Sequence, residues 1–208
     1  MLGVSALTLV TVPPIAAFAQ TAPAGSVEAS SRDTLPPTFR PAAYTLHLDP
    51  NLADLTFRGD VSIEGDAPVA GRTIVLNAQG LVLDSARLDD APTTSITYDT
   101  KLGRATLAFA RPFAAGHHRL TIAYRGKTPN DSTVGIFAMD YKAEDGARRT
   151  LATNLEPAEA RRVFPGWDEP GLKATFTVSI DAPADRMALS NMPEVSSTLL
   201  PDGRKRMR

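Results

Sequence analysis

Residues 44–64 read YTLHLDPNLADLTFRGDVSIE, and their period decides the fold. Tyr44, Leu46 and Leu48 alternate with Thr45, His47 and Asp49 until Pro50 stops the run. Phe57, Gly59, Val61 and Ile63 then alternate with Arg58, Asp60, Ser62 and Glu64. A period of two sends one set of side chains to a core and the other to water. Runs of the same kind follow at 73–78, 81–88, 95–98, 105–110, 120–124, 135–141, 150–155, 175–180 and 187–190. Each is short and β-branched or aromatic, and the spacers carry Gly, Pro, Asn and Asp, which satisfy turn geometry. About a dozen short strands without a long 3.6-residue period predict an all-β fold: a large antiparallel β-sandwich or an open, saddle-shaped sheet. One short helical turn is expected near 157–163, where Pro157 suits a first helical position and Glu156 places negative charge at the positive end.

A chain of 208 residues can bury one sizeable core. Its formal net charge of −1 argues against nucleic acid or an anionic membrane surface as a partner, since both require clustered positive charge. The one basic run, Arg204-Lys205-Arg206-Met207-Arg208, reads as a solvated strand edge or tail. Cysteine is absent, which excludes disulfides, thiolate metal sites, a cysteine nucleophile and a cysteine-linked lipid anchor.

Residues 2–18 carry no charge, and Ala17-Phe18-Ala19 gives a small-x-small cleavage pattern before Gln20. No Lys or Arg precedes the apolar stretch, and Pro13 and Pro14 break it well short of a membrane span. Residues 1–19 are expected to be a signal peptide, making the protein exported, periplasmic or secreted. Residues 20–34, rich in Ala, Ser, Pro and Thr without apolar periodicity, are expected to be a disordered linker. Residues 35–208 are expected to form the folded domain.

The densest chemistry lies in residues 153–174, TNLEPAEARRVFPGWDEPGLKA. Acids stand before prolines at Glu156-Pro157 and Asp168-Glu169-Pro170. Between them lie the paired Arg161 and Arg162 and the single tryptophan, Trp167. This segment closely resembles the T-Q-F-E-P-x-x-A-R-x-x-F-P-x-W-D-E-P signature of the aminopeptidase N family of zinc metallopeptidases. The resemblance extends over roughly residues 35–207. It includes LPPTFRPAAYTLHLDPNLADLTFRGDVSIE, IVLNAQGLVLDSARL and TIAYRGKTPNDSTVGIFAMDYK.

The resemblance implies an N-terminal β-domain that lends one loop to the active site of an adjoining catalytic domain. Glu156 matches the acid that accepts hydrogen bonds from the free ammonium of a peptide substrate. Asn154 stands where the family usually has glutamine, one methylene longer. An ammonium offers three donors, and a carboxylate is its natural acceptor. Such a pair fixes where the peptide starts, so only its first bond reaches a metal-bound water. On the residues alone, without the motif, Glu156 reads rather as a helix N-terminal acid satisfying backbone N–H groups, as many surface acids do. Pro157, Arg161, Arg162, Trp167, Asp168 and Glu169 read as loop architecture. The arginines are expected to pair with Asp168 and Glu169, and the Trp167 indole N–H to reach a polar partner. The family's bond at this site tends to be cis, so Glu156-Pro157 is expected to be cis, which X-Pro tolerates at about 0.5–1 kcal/mol.

The reaction implied by the resemblance uses zinc held by H-E-x-x-H and a further glutamate, with a G-x-M-E-N substrate motif. None of these appears here. His47, His117 and His118 lie in expected strands without ligand spacing, the last two facing opposite ways. The expectation is an aminopeptidase N-terminal domain truncated before its catalytic domain and incomplete at its C-terminal end. It binds no zinc and is inactive alone, and its partners are a peptide with a free N-terminus and the missing catalytic domain. The alternatives are a non-catalytic metallopeptidase-like scaffold and a ligand-binding β-sandwich module. The second alternative calls for an aromatic stripe, and aromatic residues make up 6% of the chain.

Overall fold

A computed structural model of the chain describes residues 34–144 and 146–208. The expected signal peptide and residues 20–33 of the expected linker lie outside the described residues.

Twelve strands carry the described fold. They are β1 (Arg40–Asn51), β2 (Thr56–Ala67), β3 (Gly71–Asn77), β4 (Val82–Leu88), β5 (Ala91–Asp99) and β6 (Arg104–Phe113). They continue with β7 (Gly116–Lys127), β8 (Gly135–Ala143), β9 (Gly146–Asn154), β10 (Thr175–Pro183), β11 (Ser197–Leu199) and β12 (Arg204–Met207). Ten of them form one sheet in the order β11-β12-β10-β1-β2-β7-β4-β5-β6-β3, and β8 and β9 form a separate hairpin.

The opening alternation is realised as expected. Leu46 lies opposite Val61, and Val61 opposite Ile122 of β7, so the apolar set of each strand shares one face. Ile63, Ile74, Leu76, Leu107 and Leu120 are fully enclosed and belong to one core cluster with Tyr44, Phe57 and Tyr124. Two cross-strand glycines make room for rings. Gly59 faces Tyr124, and Gly126 faces Phe57, each ring lying where a Cβ would stand. The opposite face is wet and charged: Arg119 Nε donates to Glu64 at 2.5 Å, and Arg125 pairs with Asp84.

Three expectations are corrected. The sheet is mixed rather than antiparallel, because β1 and β10 run parallel, with Tyr44 beside Phe176 and Leu48 beside Ile180. That pairing joins distant segments, so local periodicity carries no trace of it. Residues 187–190 are not a strand, and Met187 and Leu189 are highly exposed. The basic run instead forms β12, antiparallel to β10. Carboxylates stabilise it: Arg206 binds Asp181 through two bonds of 2.7 and 2.8 Å, and Arg204 pairs with Asp49 and Asp202. The Asp181 side chain is only 4% exposed, and the Arg206 guanidinium holds its pKa below the usual carboxylate range. The helical turn is shorter than expected, a single 3-10 turn at Ala160–Arg162.

Candidate functional site

Strand β9 delivers the chain to Asn154, and an exposed Leu155 and Glu156 follow. The Glu156-Pro157 peptide bond is cis, as expected. The Glu159 N–H then donates to the Leu155 carbonyl at 3.0 Å, and the Val163 N–H to Ala160 at 2.8 Å, closing the 3-10 turn.

Downstream, the loop is fastened to the sheet at several points. Asn77, at the end of β3 and almost fully buried, exchanges both backbone hydrogen bonds with Gly166, at 2.8 and 3.0 Å. Its side-chain Oδ1 accepts the Asp168 N–H at 3.1 Å. The Gln79 N–H donates to the Arg161 carbonyl at 2.9 Å. The Trp167 backbone N–H donates to the Tyr44 hydroxyl at 3.1 Å, and the indole stacks on Phe39 with centroids 4.9 Å apart. Burial pushes the Tyr44 pKa up to about 12. Asn77 and Phe39 escaped the sequence reading, and Tyr44 entered it only as one of an alternating apolar set. The one available signal was a polar Asn closing an apolar strand, IVLN.

Arg161 and Asp168 pair as expected. Arg161 Nε donates to Asp168 Oδ2 at 3.0 Å, Nη2 to the Asp168 carbonyl at 3.1 Å, and the Arg161 backbone N–H to Oδ2 at 3.2 Å. Their neighbours differ from expectation. Arg162 pairs with Glu159 within the turn, and Glu169 accepts the Leu35 N–H at 2.5 Å, tying the start of the domain to the loop. The buried Trp167 Nε1 finds no acceptor among the described residues, contrary to expectation. The ring is held by stacking and its backbone amide instead.

Glu156 differs from every other acid of the motif. It is exposed, and no hydrogen bond or ion pair reaches its carboxylate among the described residues. Its own N–H donates to Asn154 Oδ1 across a long 3.4 Å. The turn reading, in which Glu156 satisfies backbone N–H groups, finds no such bond. Two grooves among the described residues, about 630 and 530 Å3, do not include Glu156 or Asn154. The structure therefore brings these two residues together at an open rim and not inside a closed pocket.

The histidines are dispersed. His47 lies 3.1 Å from Asp181, His117 is 3.0 Å from Glu64, and His118 is 2.8 Å from Asp89. Among the described residues no group of three or more His, Cys, Asp or Glu side chains is placed to hold a metal ion.

Residues 40–208 match the family described as the Peptidase M1 N-terminal domain. The chain belongs to that family. Aminopeptidase N of Acetobacter pasteurianus is 39% identical over 178 residues, 84% of this chain and 48% of that protein. Aminopeptidase 2 of Candida albicans is 32% identical over 183 residues, covering 87% and 20%. Endoplasmic reticulum aminopeptidase 1 of Mus musculus is 32% identical over 194 residues, covering 86% and 21%. The chain thus spans about half the length of the first relative and about a fifth of the others. In this M1 N-terminal domain the anchored loop carries an exposed carboxylate, Glu156, that has no partner among the described residues.

Proposed function

We propose that this M1 N-terminal domain anchors the free N-terminus of a peptide substrate for a zinc-dependent aminopeptidase, with Glu156 accepting the ammonium. One observation carries the reading. Within a motif whose Glu159, Asp168 and Glu169 are all engaged, the Glu156 carboxylate alone is exposed and has no partner among the described residues. A carboxylate left free on a rigidly fastened loop is prepared for a cation, and charge-assisted bonds to an ammonium are about twice as strong as neutral ones. Asn154, one residue before the turn, shapes the approach to it. Pro157, Arg161 and Asp168 hold the loop, and Arg162, Trp167 and Glu169 support its two flanks.

Zinc belongs to the catalytic part of the longer protein, where it supplies a polarised water. The role of this chain is to bind and orient the substrate end. The 208-residue segment alone hydrolyses nothing, and the whole protein is exported through its leader. Among the described residues no helix is long and apolar enough to cross a membrane.

Paired peptides with free and acetylated N-termini test the reading on the full-length protein. Strong preference for the free amine is expected, and it should collapse in Glu156→Gln. A preference that survives intact in Glu156→Gln overturns it. Asn154→Gln should alter KM more than kcat, because it reshapes the approach and leaves the acceptor in place.

A further inference from the structure

His118 has an oxygen on each ring nitrogen. Nδ1 lies 2.8 Å from Asp89 Oδ2, and Nε2 lies 2.9 Å from the Ala114 carbonyl oxygen. Neither oxygen has a proton to give. The carbonyl never does, and the Asp89 carboxyl is held below the usual carboxylate range. Burial opposes that charge, but the Arg119 N–H and the His118 ring outweigh it. A neutral imidazole has one N–H, so it would turn a lone pair toward one of the two oxygens. An imidazolium has two and satisfies both. The side chain is only 11% exposed, and the edge of Phe113 lies against the ring with centroids 5.8 Å apart, so water has little access to replace either bond.

The two bonds join segments that no ladder joins directly. Asp89 sits in the turn between β4 and β5, one residue beyond the Leu88–Leu120 pair of β4 and β7. Its backbone is left-handed, with φ 52°, a conformation that Asp tolerates. Its N–H donates to the Arg119 carbonyl at 2.7 Å, and its Oδ1 accepts the Arg119 N–H at 2.9 Å. Ala114 lies in the turn between β6 and β7. His118 therefore ties one turn to the other, with the Asp89 carboxylate as the bridge. The other charged groups nearby leave it this role. His117, next along β7, faces Glu64 and Asp66, and the Arg119 guanidinium is held by Glu64. Asp66 adds negative charge that favours the imidazolium.

We propose that His118 is a proton-operated latch: its charged ring clamps the β4–β5 turn to the β6–β7 turn, and loss of the proton lets this corner of the sheet open locally. The sign follows from linkage. Burial lowers the His118 pKa, but the bonds to Asp89 and Ala114 outweigh it and raise the value above the ordinary 6.5. A group whose folded pKa is raised stabilises fully below its unfolded pKa, and that stabilisation is lost as pH rises through the folded one. The corner is closed below pH 6.5 and loosens as the ring titrates above it. The latch is independent of Glu156.

Two measurements on the full-length protein test this. In 15N-histidine-labelled protein, with the signal assigned by its loss in His118→Gln, the His118 ring should titrate with a midpoint above 6.5. Asp89→Asn, which removes the carboxylate and keeps an oxygen for the Arg119 N–H, should lower that midpoint. Residue-resolved hydrogen exchange, expressed as protection so that the intrinsic pH dependence cancels, then reads the opening. Protection of the Asp89 and Arg119 amides should fall on the order of tenfold across the His118 titration, while that of Val61 in β2 stays level. In His118→Gln it should be low already at pH 6 and should no longer change with pH. A His118 midpoint at or below 6.5 overturns the proposal. So does protection at Asp89 and Arg119 that ignores the titration, or a pH dependence that survives in His118→Gln.

Discussion

The Tyr44 hydroxyl accepts the backbone N–H of Trp167 at 3.1 Å, joining the first strand of the sheet to the far end of the site loop. Tyr44 is buried, and its ring is held between Phe164 and Phe176. Tyr44→Phe keeps the ring contacts and strands one buried N–H, so it should lower unfolding free energy by about 1–3 kcal/mol. The sign of the pH effect follows from burial, which raises the folded pKa to about 12 against an ordinary value of 10. Below pH 10 the tyrosine is neutral in both states and contributes no slope. Between pH 10 and 12 the unfolded chain loses the proton first, so stability falls as pH rises, by up to about 1.4 kcal/mol per pH unit. Chemical denaturation from pH 9 to 11.5 should show a shallower loss in Tyr44→Phe than in the parent.

Asn77 fastens the loop twice, through its backbone to Gly166 and through Oδ1 to the Asp168 N–H. Asn77→Ala keeps the first link and removes the second, leaving a partly buried donor unpaired. A loss of about 1–3 kcal/mol is expected, with an unchanged denaturant m-value. Because Asp168 also holds Arg161, the same change should loosen the loop and raise KM in the full-length protein.

Gly59 stands where any side chain meets Tyr124, with ring atoms 2.4–2.9 Å from the position of a Cβ. Gly59→Ala should destabilise by about 1–3 kcal/mol through forced displacement of a fully buried ring. Gly171, where a Cβ meets nothing within 4 Å, is the matched control, and Gly171→Ala should be near neutral. Equal melting temperatures for the two variants would contradict this packing account.

Much of the fold was legible because one face of each main strand is buried. Wherever burial alternates, as in β1, β2, β6 and β7, so does the sequence. The reading failed where pairing alone makes the strand. Arg204–Met207 has no apolar rhythm and becomes β12 through Asp181 and Asp49, which are remote in sequence. Met187–Ser190 has the rhythm but pairs with no strand among the described residues, and it stays irregular. At the site, the motif carried the cis Glu156-Pro157 bond and the Arg161–Asp168 pair. It was silent about Asn77 and Tyr44, whose roles depend on which strand the loop lies against. It also misassigned Arg162 and Glu169, because several partners of suitable charge lie within reach of each and only three-dimensional placement chooses.

Glu156 should be dispensable for folding. Its carboxylate has no partner among the described residues, so Glu156→Ala should change stability by no more than about 0.5 kcal/mol. Thermal melts of the 208-residue chain and its variant check this directly.

That neutrality makes the decisive measurement clean: kcat/KM of the full-length protein for a free-amine peptide, parent against Glu156→Ala. Removing the acceptor of a desolvated ammonium should lower kcat/KM by about 2–5 kcal/mol, roughly thirtyfold to several thousandfold, with the melting temperature unchanged. An unchanged kcat/KM in a folded Glu156→Ala protein would contradict the account.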